Sequence, residues 1–212
     1  MRKWLGSISM VLGALCLLSA IGFMLYNRWE ASNAAQTSQA LLEEVQQVVQ
    51  KDKIPTQENP DQESTIPTEA PTVPTEMPTE MATIKVDGYD CIGILSIPVL
   101  ELELPVLADW SYEKLTKAPC HYYGAYYETD FVIAAHNYAA HFGRLSELKP
   151  GDLVVFTDVA ANAYHYEVVL LETLPKEATQ EMIASGFDLS LYTCTPGGGS
   201  RVTVRCSKVT SP

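Results

Sequence analysis

Residues 189–208, LSLYTCTPGGGSRVTVRCSK, decide the fold that the sequence predicts. Apolar and polar residues alternate over 189–194, which is typical of a strand with one buried face, and this strand would end at Cys194. The following residues, TPGGGS, cannot continue a central strand, and a second alternating run begins at Arg201. The stretch therefore predicts a β-hairpin whose loop holds Cys194 and Arg201 together at one end of a sheet.

Short runs rich in β-branched and aromatic residues continue upstream of this hairpin as far as residue 84. They are separated by Gly, Pro, Asp and Asn, which indicates strands joined by turns. Eight short strands with few helices indicate a mostly β fold, an eight-stranded antiparallel β-barrel that is closed or nearly closed. The predicted strands are 91–97, 102–107, 120–124, 131–135, 153–157, 164–174, 189–194 and 201–208, and the predicted short helices are 110–117, 143–148 and 177–185.

The N-terminal segment has no charged residue from Trp4 to Tyr26. A helix of that length, at about 1.5 Å per residue, spans the roughly 30 Å of bilayer hydrocarbon. A cleaved signal peptide is the competing interpretation, because Arg2 and Lys3 precede the apolar run, but this run exceeds the about 7–15 residues of a signal-peptide core. Positive charge before the helix, with only Arg28 close behind it, favours a cytoplasmic N-terminus. We therefore expect a single-pass protein of the cell membrane with its C-terminal domain outside the cell.

These patterns divide the chain into four segments. Residues 1–29 are the cytoplasmic start and transmembrane anchor, and residues 30–51 have the helix-like spacing of a juxtamembrane stalk. The stalk is predicted either as a partly frayed helix in solvent or as a coiled-coil dimer seam. Residues 52–83 are rich in Pro, Thr and Glu and nearly lack bulky apolar residues, so we expect a disordered linker. Residues 84–212 form the predicted barrel domain.

Composition excludes some classes of partner. The chain has 212 residues and a formal net charge of -12 at pH 7, which argues against nucleic acid and against an anionic phosphate ligand.

One of the five cysteines, Cys16, lies in the apolar N-terminal segment. The others allow up to two disulfides, although a domain of this length can bury an adequate core without any. These four are Cys91, Cys120, Cys194 and Cys206.

Cys194, His136 and Arg201 are the candidates for chemistry. The predicted strand places the Cys194 thiol at a barrel rim beside a glycine-rich loop, although from the residues alone a buried, inert cysteine is an equal alternative. His136 closes the apolar run 131–135, where an imidazole suits a general acid or base, although a lone histidine there is more often structural. An ordinary surface arginine is the alternative for Arg201. The remaining histidines, His121, His141 and His165, are weaker candidates.

These three positions, with the phrases around them, resemble the sortase family over about residues 89–209. Thr193-Cys194 is followed by an arginine that opens the next strand, and Ala135-His136 follows an apolar strand upstream. Sortases commonly have Gly-His at the latter position, and the short glycine-rich loop after Cys194 is a second departure from the family. The flanking phrases that match are IGILSIP at 92–98, LPV at 104–106, HFGRL at 141–145 and LKPGD at 148–152.

The resemblance implies a function and a site. Sortases are cysteine transpeptidases of Gram-positive cell surfaces that cleave an LPxTG-like sorting signal near the C-terminus of a secreted protein and transfer the protein to an amine. The resemblance implies that Cys194 is the nucleophile that forms a thioacyl enzyme, that His136 is the general acid and base, and that Arg201 is the oxyanion-stabilising group. Arg205, on the same strand face, is the alternative to Arg201. The implied acceptor is a peptidoglycan precursor or a pilin lysine, and the chemistry needs neither a metal nor an organic cofactor.

Two rival functions stay open at this point. A papain-like cell-wall peptidase also pairs a cysteine with a histidine, but its nucleophile ordinarily opens a helix and precedes the histidine in the chain. A non-catalytic surface-binding module on a stalk would need neither group. Scattered carboxylates such as Glu128, Asp130 and Glu177 could bind calcium, although such groups on an acidic surface are usually only solvated.

Overall fold

The computed structural model describes residues 2–51 and 80–209. The predicted linker over residues 52–83 lies almost wholly outside them. The described chain begins with a helix of 50 residues and continues through nine strands with short helical turns between them. In chain order the elements are α1 (Arg2–Lys51), β1 (Ile84–Val86), β2 (Tyr89–Ile97), a 3-10 turn (Pro98–Leu100), β3 (Leu102–Leu107), α2 (Tyr112–Leu115), β4 (Cys120–Tyr123), β5 (Phe131–Ala134), a second 3-10 turn (Leu145–Glu147), β6 (Leu153–Asp158), β7 (Ala163–Pro175), α3 (Thr179–Ile183), β8 (Leu189–Cys194) and β9 (Ser200–Lys208).

Eight of the strands close into a barrel, which confirms the predicted fold class. Their order around the ring is β2-β3-β4-β5-β8-β9-β7-β6, and the pairing of β6 with β2 completes it. The eight predicted strands correspond to β2 through β9 in order. The sequence prediction missed β1, a short strand that pairs with the start of β2 outside the ring.

The prediction that the barrel is antiparallel is wrong at two pairings. β3 runs parallel to β4, and β5 runs parallel to β8. A parallel pair needs a connection that crosses from one end of the sheet to the other. The segment with α2 makes the first crossing, and the β6–β7 hairpin with α3 makes the second. The second crossing brings the C-terminal ends of β5 and β8 to the same barrel rim.

Aromatic and branched side chains fill the barrel interior, and they are almost fully buried. Phe131 and Phe156 meet edge to face, with ring centroids 5.2 Å apart. Gly93 lies where β2 pairs with both β3 and β6, and a Cβ there would lie 2.1 Å from the Thr157 carbonyl oxygen at a φ of +155°. The barrel interior is therefore a packed core and not an open channel.

The two halves of α1 have different surroundings. Side chains from Met10 to Trp29 are exposed and mostly apolar, and within the described residues α1 is the one helix long and apolar enough to be a candidate membrane span. Further along, Leu41, Val45 and Val49 are buried against β1, β2 and β3 in a second apolar cluster. The helical segment predicted over residues 30–51 is therefore docked on the barrel.

Candidate active site

Two neighbouring parallel strands deliver Cys194 and His136 to one rim of the barrel. β5 and β8 are paired in register as far as Tyr192. The Ala135 N–H donates to the Tyr192 carbonyl at 3.2 Å, and the Thr193 hydroxyl donates to the Ala135 carbonyl at 2.8 Å. The two backbones therefore stay side by side up to His136 and Cys194.

The β8–β9 hairpin brings Arg201 to the same rim. Cys194 and Arg201 are cross-strand partners at the end of the hairpin. Hydrogen bonds between Thr195 and Ser200 close the loop, and Gly198 adopts a φ of +73°, a conformation that favours glycine. The Arg201 guanidinium donates to the carbonyls of Gly198 at 3.3 Å and Ser200 at 3.2 Å. The short glycine-rich loop thus holds the arginine beside the cysteine.

Cys194, His136 and Arg201 line one cavity of about 200 Å³. One part of the lining is largely aromatic and comes from α2 and the residues before it, and another part comes from α3 and the residues before it. A concave, mainly apolar site with a few converging polar groups is the usual setting for a bound peptide or small molecule. The first part consists of Trp110, Tyr112 and Leu115, the second of Pro175, Lys176, Ala178, Thr179 and Met182, and Tyr122, Ala134, Ala135 and Tyr192 complete the lining.

His136 is half-buried, and its surroundings influence its protonation. Burial lowers the pKa of the imidazole, whereas the carboxylate of Glu30, on α1, raises that pKa by favouring the imidazolium. The ring stacks on Tyr138, with centroids 5.0 Å apart and planes at 32°. The Tyr138 hydroxyl in turn donates to Glu30 Oε1 at 3.0 Å. The N-terminal helix therefore contributes to the environment of His136.

The five cysteines are free, and they differ in exposure. Cys194 is half-buried and lines the cavity. Burial raises the pKa of Cys91 to about 11 and those of Cys120 and Cys206 to about 12, because it disfavours the thiolate. Within the barrel domain, Cys194 is therefore the thiol that a substrate can reach.

Arg205, the alternative to Arg201, lies elsewhere. It is 1% exposed, outside the cavity lining, and it contacts the backbone of α3. Its guanidinium donates to Glu172 Oε1 at 2.7 Å, to Ser190 Oγ at 2.7 Å and to the Glu181 carbonyl at 2.6 Å. These bonds tie α3 to β7 and β8, so Arg205 supports one wall of the cavity.

The other three histidines do not line the cavity. His121 lies between two backbone carbonyl oxygens, at 3.0 and 2.7 Å from its ring nitrogens. His141 is fully buried near the backbone of α1, and burial together with the neighbouring His136 lowers its pKa to about 4. His165 lies on β7, paired with β6.

Two of the three carboxylates considered for calcium, Asp130 and Glu177, have local partners. Asp130 Oδ1 accepts hydrogen bonds from the Ser185 N–H at 2.7 Å, the Ser185 hydroxyl at 2.9 Å and the Gly186 N–H at 2.9 Å. Glu177 pairs with Lys176 at 3.6 Å on the surface. Across residues 2–51 and 80–209, no group of three or more His, Cys, Asp or Glu side chains is arranged to hold a metal ion.

Sequence reasoning missed the residues that line the cavity around Cys194 and His136, and it missed the contact of α1 with the loop that carries His136. The helix predicted over residues 110–117 contains α2, but nothing in its pattern indicates that Trp110 and Tyr112 face a site. The contact between Glu30 and Tyr138 joins residues 108 positions apart. Local periodicity carries no signal for such a contact.

Comparison with known proteins assigns the chain to a family. A family model described as "Sortase domain" matches residues 95–209, more than half of the chain. The chain belongs to the sortase family. Sortase C1 from Streptococcus suis is 28% identical to this sortase, with a TM-score of 0.52 over 57% of this chain and 74% of that one. Sortase A from Corynebacterium diphtheriae is 24% identical, with a TM-score of 0.53 over 58% of this chain and 63% of that one. No curated protein matches the chain.

Sortases of two classes, C and A, thus share the fold of this sortase, and the subclass stays open. Sortase C from Clostridium perfringens, solved with the C-terminal cell wall sorting motif, is 22% identical, with a TM-score of 0.52 over 57% of this chain and 72% of that one. At that identity the likeness shows the fold alone. Membership of the family makes this sortase a transpeptidase in the general sense.

Proposed function

We propose that this sortase cleaves an LPxTG-like sorting signal through a thioacyl enzyme and transfers the sorted protein to an amine acceptor. The observation that supports this proposal is the convergence of Cys194, His136 and Arg201 on one cavity at the barrel rim. The three side chains come from the ends of adjacent paired backbones, so the barrel fixes their relative positions. Positioned groups of these types are what nucleophilic acyl transfer needs.

The first half of the proposed reaction forms the thioester. The thiolate of Cys194 attacks the carbonyl carbon of the scissile peptide bond, and the π electron pair moves to the oxygen. The guanidinium of Arg201 stabilises the negative charge on that oxygen. When the tetrahedral intermediate collapses, the C–N bond breaks and His136, as imidazolium, gives its proton to the departing amine.

The second half releases the product. The acceptor amine attacks the thioester carbonyl and gives a proton to the neutral imidazole of His136. The C–S bond breaks, Cys194 leaves as thiolate, and a new amide joins the sorted protein to the acceptor. Over the two steps the proton that His136 gives to the departing amine is replaced by the proton that it takes from the acceptor amine, and Cys194 returns to its thiolate form. We propose a peptidoglycan precursor or a pilin lysine as the acceptor.

The walls of the cavity suit such a signal. Leu and Pro side chains carry no hydrogen-bonding groups, and they lose little by leaving water for an apolar groove. Trp110 and Tyr112 stack edge to face, with ring centroids 5.8 Å apart, and Met182 lines the same cavity. We therefore assign the apolar part of the signal to the part of the cavity that these side chains line.

We also propose a single-pass membrane location, with the N-terminus cytoplasmic and the barrel outside the cell. The exposed apolar surface from Met10 to Trp29 supports the membrane span, and the positive charge of Arg2 and Lys3 supports the orientation. In that location the partners are secreted proteins with C-terminal sorting signals. Appending a cysteine after Pro212 and labelling intact cells with an impermeant thiol reagent tests the orientation, since a cytoplasmic barrel would leave that cysteine unlabelled.

Replacing Cys194 tests the proposed reaction. The full chain in detergent micelles is given an LPxTG-containing peptide with and without an added amine, and the products are identified by mass. Cys194→Ala should abolish both the transfer product and the covalent peptide adduct, whereas Cys16→Ala, on the exposed N-terminal helix, should leave both unchanged.

Two results would favour the rival functions. Peptide cleavage that ignores the added amine would favour a cell-wall peptidase, and peptide binding without any Cys194-dependent product would favour a surface-binding module. The structure gives the papain-like alternative little support, since Cys194 ends a strand and follows His136 in the chain.

A further inference from the structure

Glu30 links the N-terminal helix to the loop that carries His136. It is half-buried, and it lies on α1 directly after the exposed apolar segment. Its Oε1 atom accepts a hydrogen bond at 3.0 Å from the hydroxyl of Tyr138, 108 residues further along the chain. The mechanism proposed above uses neither residue.

The loop after β5 is tightly closed, so Tyr138 and His136 are held together. The Phe142 N–H donates to the His136 carbonyl at 3.1 Å, and the Gly143 N–H donates to the Tyr138 carbonyl at 2.9 Å. A Cβ at Gly143 would lie 2.5 Å from the Asn137 carbonyl oxygen, so this position admits only glycine without a shift of the backbone. The Tyr138 ring also stacks on the imidazole. A bond that restrains the Tyr138 hydroxyl therefore restrains His136.

The charges around His136 give Glu30 a second role. Burial opposes the charged form of His136, whereas the negative charge of the Glu30 carboxylate favours the imidazolium and raises the pKa of His136 against that effect. Tyr138 and His141 of the same loop act on His136 by stacking and by charge, respectively. The other titratable or charged groups that line the cavity with His136 are Tyr112 from α2, Tyr122 from β4, Tyr192 and Cys194 from β8, Arg201 from β9, and Lys176 from the segment before α3.

Apolar packing holds Glu30 in place. Leu41 and Val45, further along the same helix, are 1% and 0% exposed, and both pack in the cluster against β1, β2 and β3. A docked helix presents its polar residues at fixed positions. Glu30 is therefore held at the rim by contacts that are independent of its own hydrogen bond.

We propose that Glu30 is a positioning residue for His136. Through Tyr138 it restrains the imidazole at the rim, and its carboxylate stabilises the imidazolium that the transfer reaction requires. The catalytic consequence rests on the proposed function, whereas the effect of Glu30 on the protonation of His136 does not.

NMR titration of the full chain in detergent micelles tests the proposal without an activity assay. The imidazole signal of His136 is assigned by its loss in His136→Asn, and its titration midpoint is compared among three variants. Glu30→Gln should move the midpoint to lower pH, because the amide keeps the shape and removes the charge. Glu30→Asp, which keeps the charge, should stay close to the parent. Glu43→Gln is the matched control, because Glu43 is exposed on the same helix, and it should leave the midpoint unchanged.

Transfer activity supplies the second readout. Glu30→Gln should lower the transfer rate about threefold to tenfold near neutral pH, less than the hundredfold or more expected for loss of the general acid itself. The limb of the pH–rate profile that follows deprotonation of His136 should move to lower pH. An unchanged midpoint in Glu30→Gln, or an equal shift in Glu43→Gln, overturns the proposal. A shifted midpoint in a chain that transfers no peptide would leave the Glu30 link standing and remove the proposed function.

Discussion

Lysine substitutions at Arg201 and Arg205 should separate catalysis from stability. Both arginines project from the same face of β9, but Arg201 lines the cavity, whereas Arg205 is buried beneath α3. A lysine keeps the positive charge and loses the planar fork of donors. We expect Arg201→Lys to lose activity while it keeps the fold, and Arg205→Lys to lose stability.

The contacts of Arg205 give the size of the expected loss of stability. Its guanidinium satisfies the Glu172 carboxylate, the Ser190 hydroxyl and the Glu181 carbonyl, and one ammonium cannot reach all three. Each buried polar group left without a partner costs about 1–3 kcal/mol. Arg205→Lys should therefore lower the free energy of unfolding by about 2–5 kcal/mol and the melting temperature by roughly 5–15 °C.

At Arg201 the expected loss is catalytic. The guanidinium is half-buried, and among the described residues it donates to two loop carbonyls, at 3.2 and 3.3 Å, so a lysine there should change the stability by less than about 1 kcal/mol. Transfer should fall by roughly a hundredfold or more, because the lysine offers no fork of donors to the developing oxyanion.

The assay uses the full chain in detergent micelles, because α1 supplies part of the apolar packing against the barrel. Thermal melting is followed by near-ultraviolet circular dichroism, and transfer is measured with an LPxTG peptide and an amine at a temperature where all variants are folded. Full activity in Arg201→Lys, with a folded but inactive Arg205→Lys, would reverse the two assignments. Equal melting temperatures for parent and Arg205→Lys would refute the energetic reasoning.

Two further predictions concern the thiols and the docked helix. A thiol-directed reagent should label Cys194 well before Cys91, Cys120 and Cys206, because burial raises the pKa of these three thiols. Peptide mapping of the labelled protein checks this order. Early labelling of Cys120 would mean that the reactive thiol, and with it the active site, lies at Cys120. Val45→Asp should release α1 from the barrel, because an unpaired carboxylate would replace a side chain that is 0% exposed, whereas Val48→Asp, at a position 37% exposed, should not. Hydrogen exchange over β1 to β3 measures the release, and equal protection in the two variants would contradict the docking.

The strands and the pairing of Cys194 with Arg201 could be predicted because each depends on local pattern. Alternation over residues 189–194 defines a strand, and a short glycine-rich loop makes the next run its antiparallel neighbour. The parallel register of β5 and β8 could not be predicted in this way. It depends on where the chain returns after β6, β7 and α3, and the resemblance to a family, not periodicity, supplied His136 as the partner of Cys194.

Arg205 illustrates a second limit of sequence reasoning. Strand alternation places Arg201 and Arg205 on one face of β9, so both are equivalent by pattern. What separates them is α3, which covers Arg205 with backbone carbonyls and leaves Arg201 open to the cavity. A helix of five residues, whose position depends on the loops around it, leaves no periodic signal at either arginine.

The apolar stripe of α1 shows why docking of this helix could not be read from its spacing. Leu41, Val45 and Val49 recur every four residues, a pattern that suits a second helix as well as a sheet. In the structure the stripe packs on β1, β2 and β3, and α1 runs without a break from the proposed membrane span into this contact. Glu30 is four residues beyond Tyr26, about 6 Å along the helix axis. The docked helix, and not the length of residues 52–83, therefore sets the distance between the membrane and the loop that carries His136.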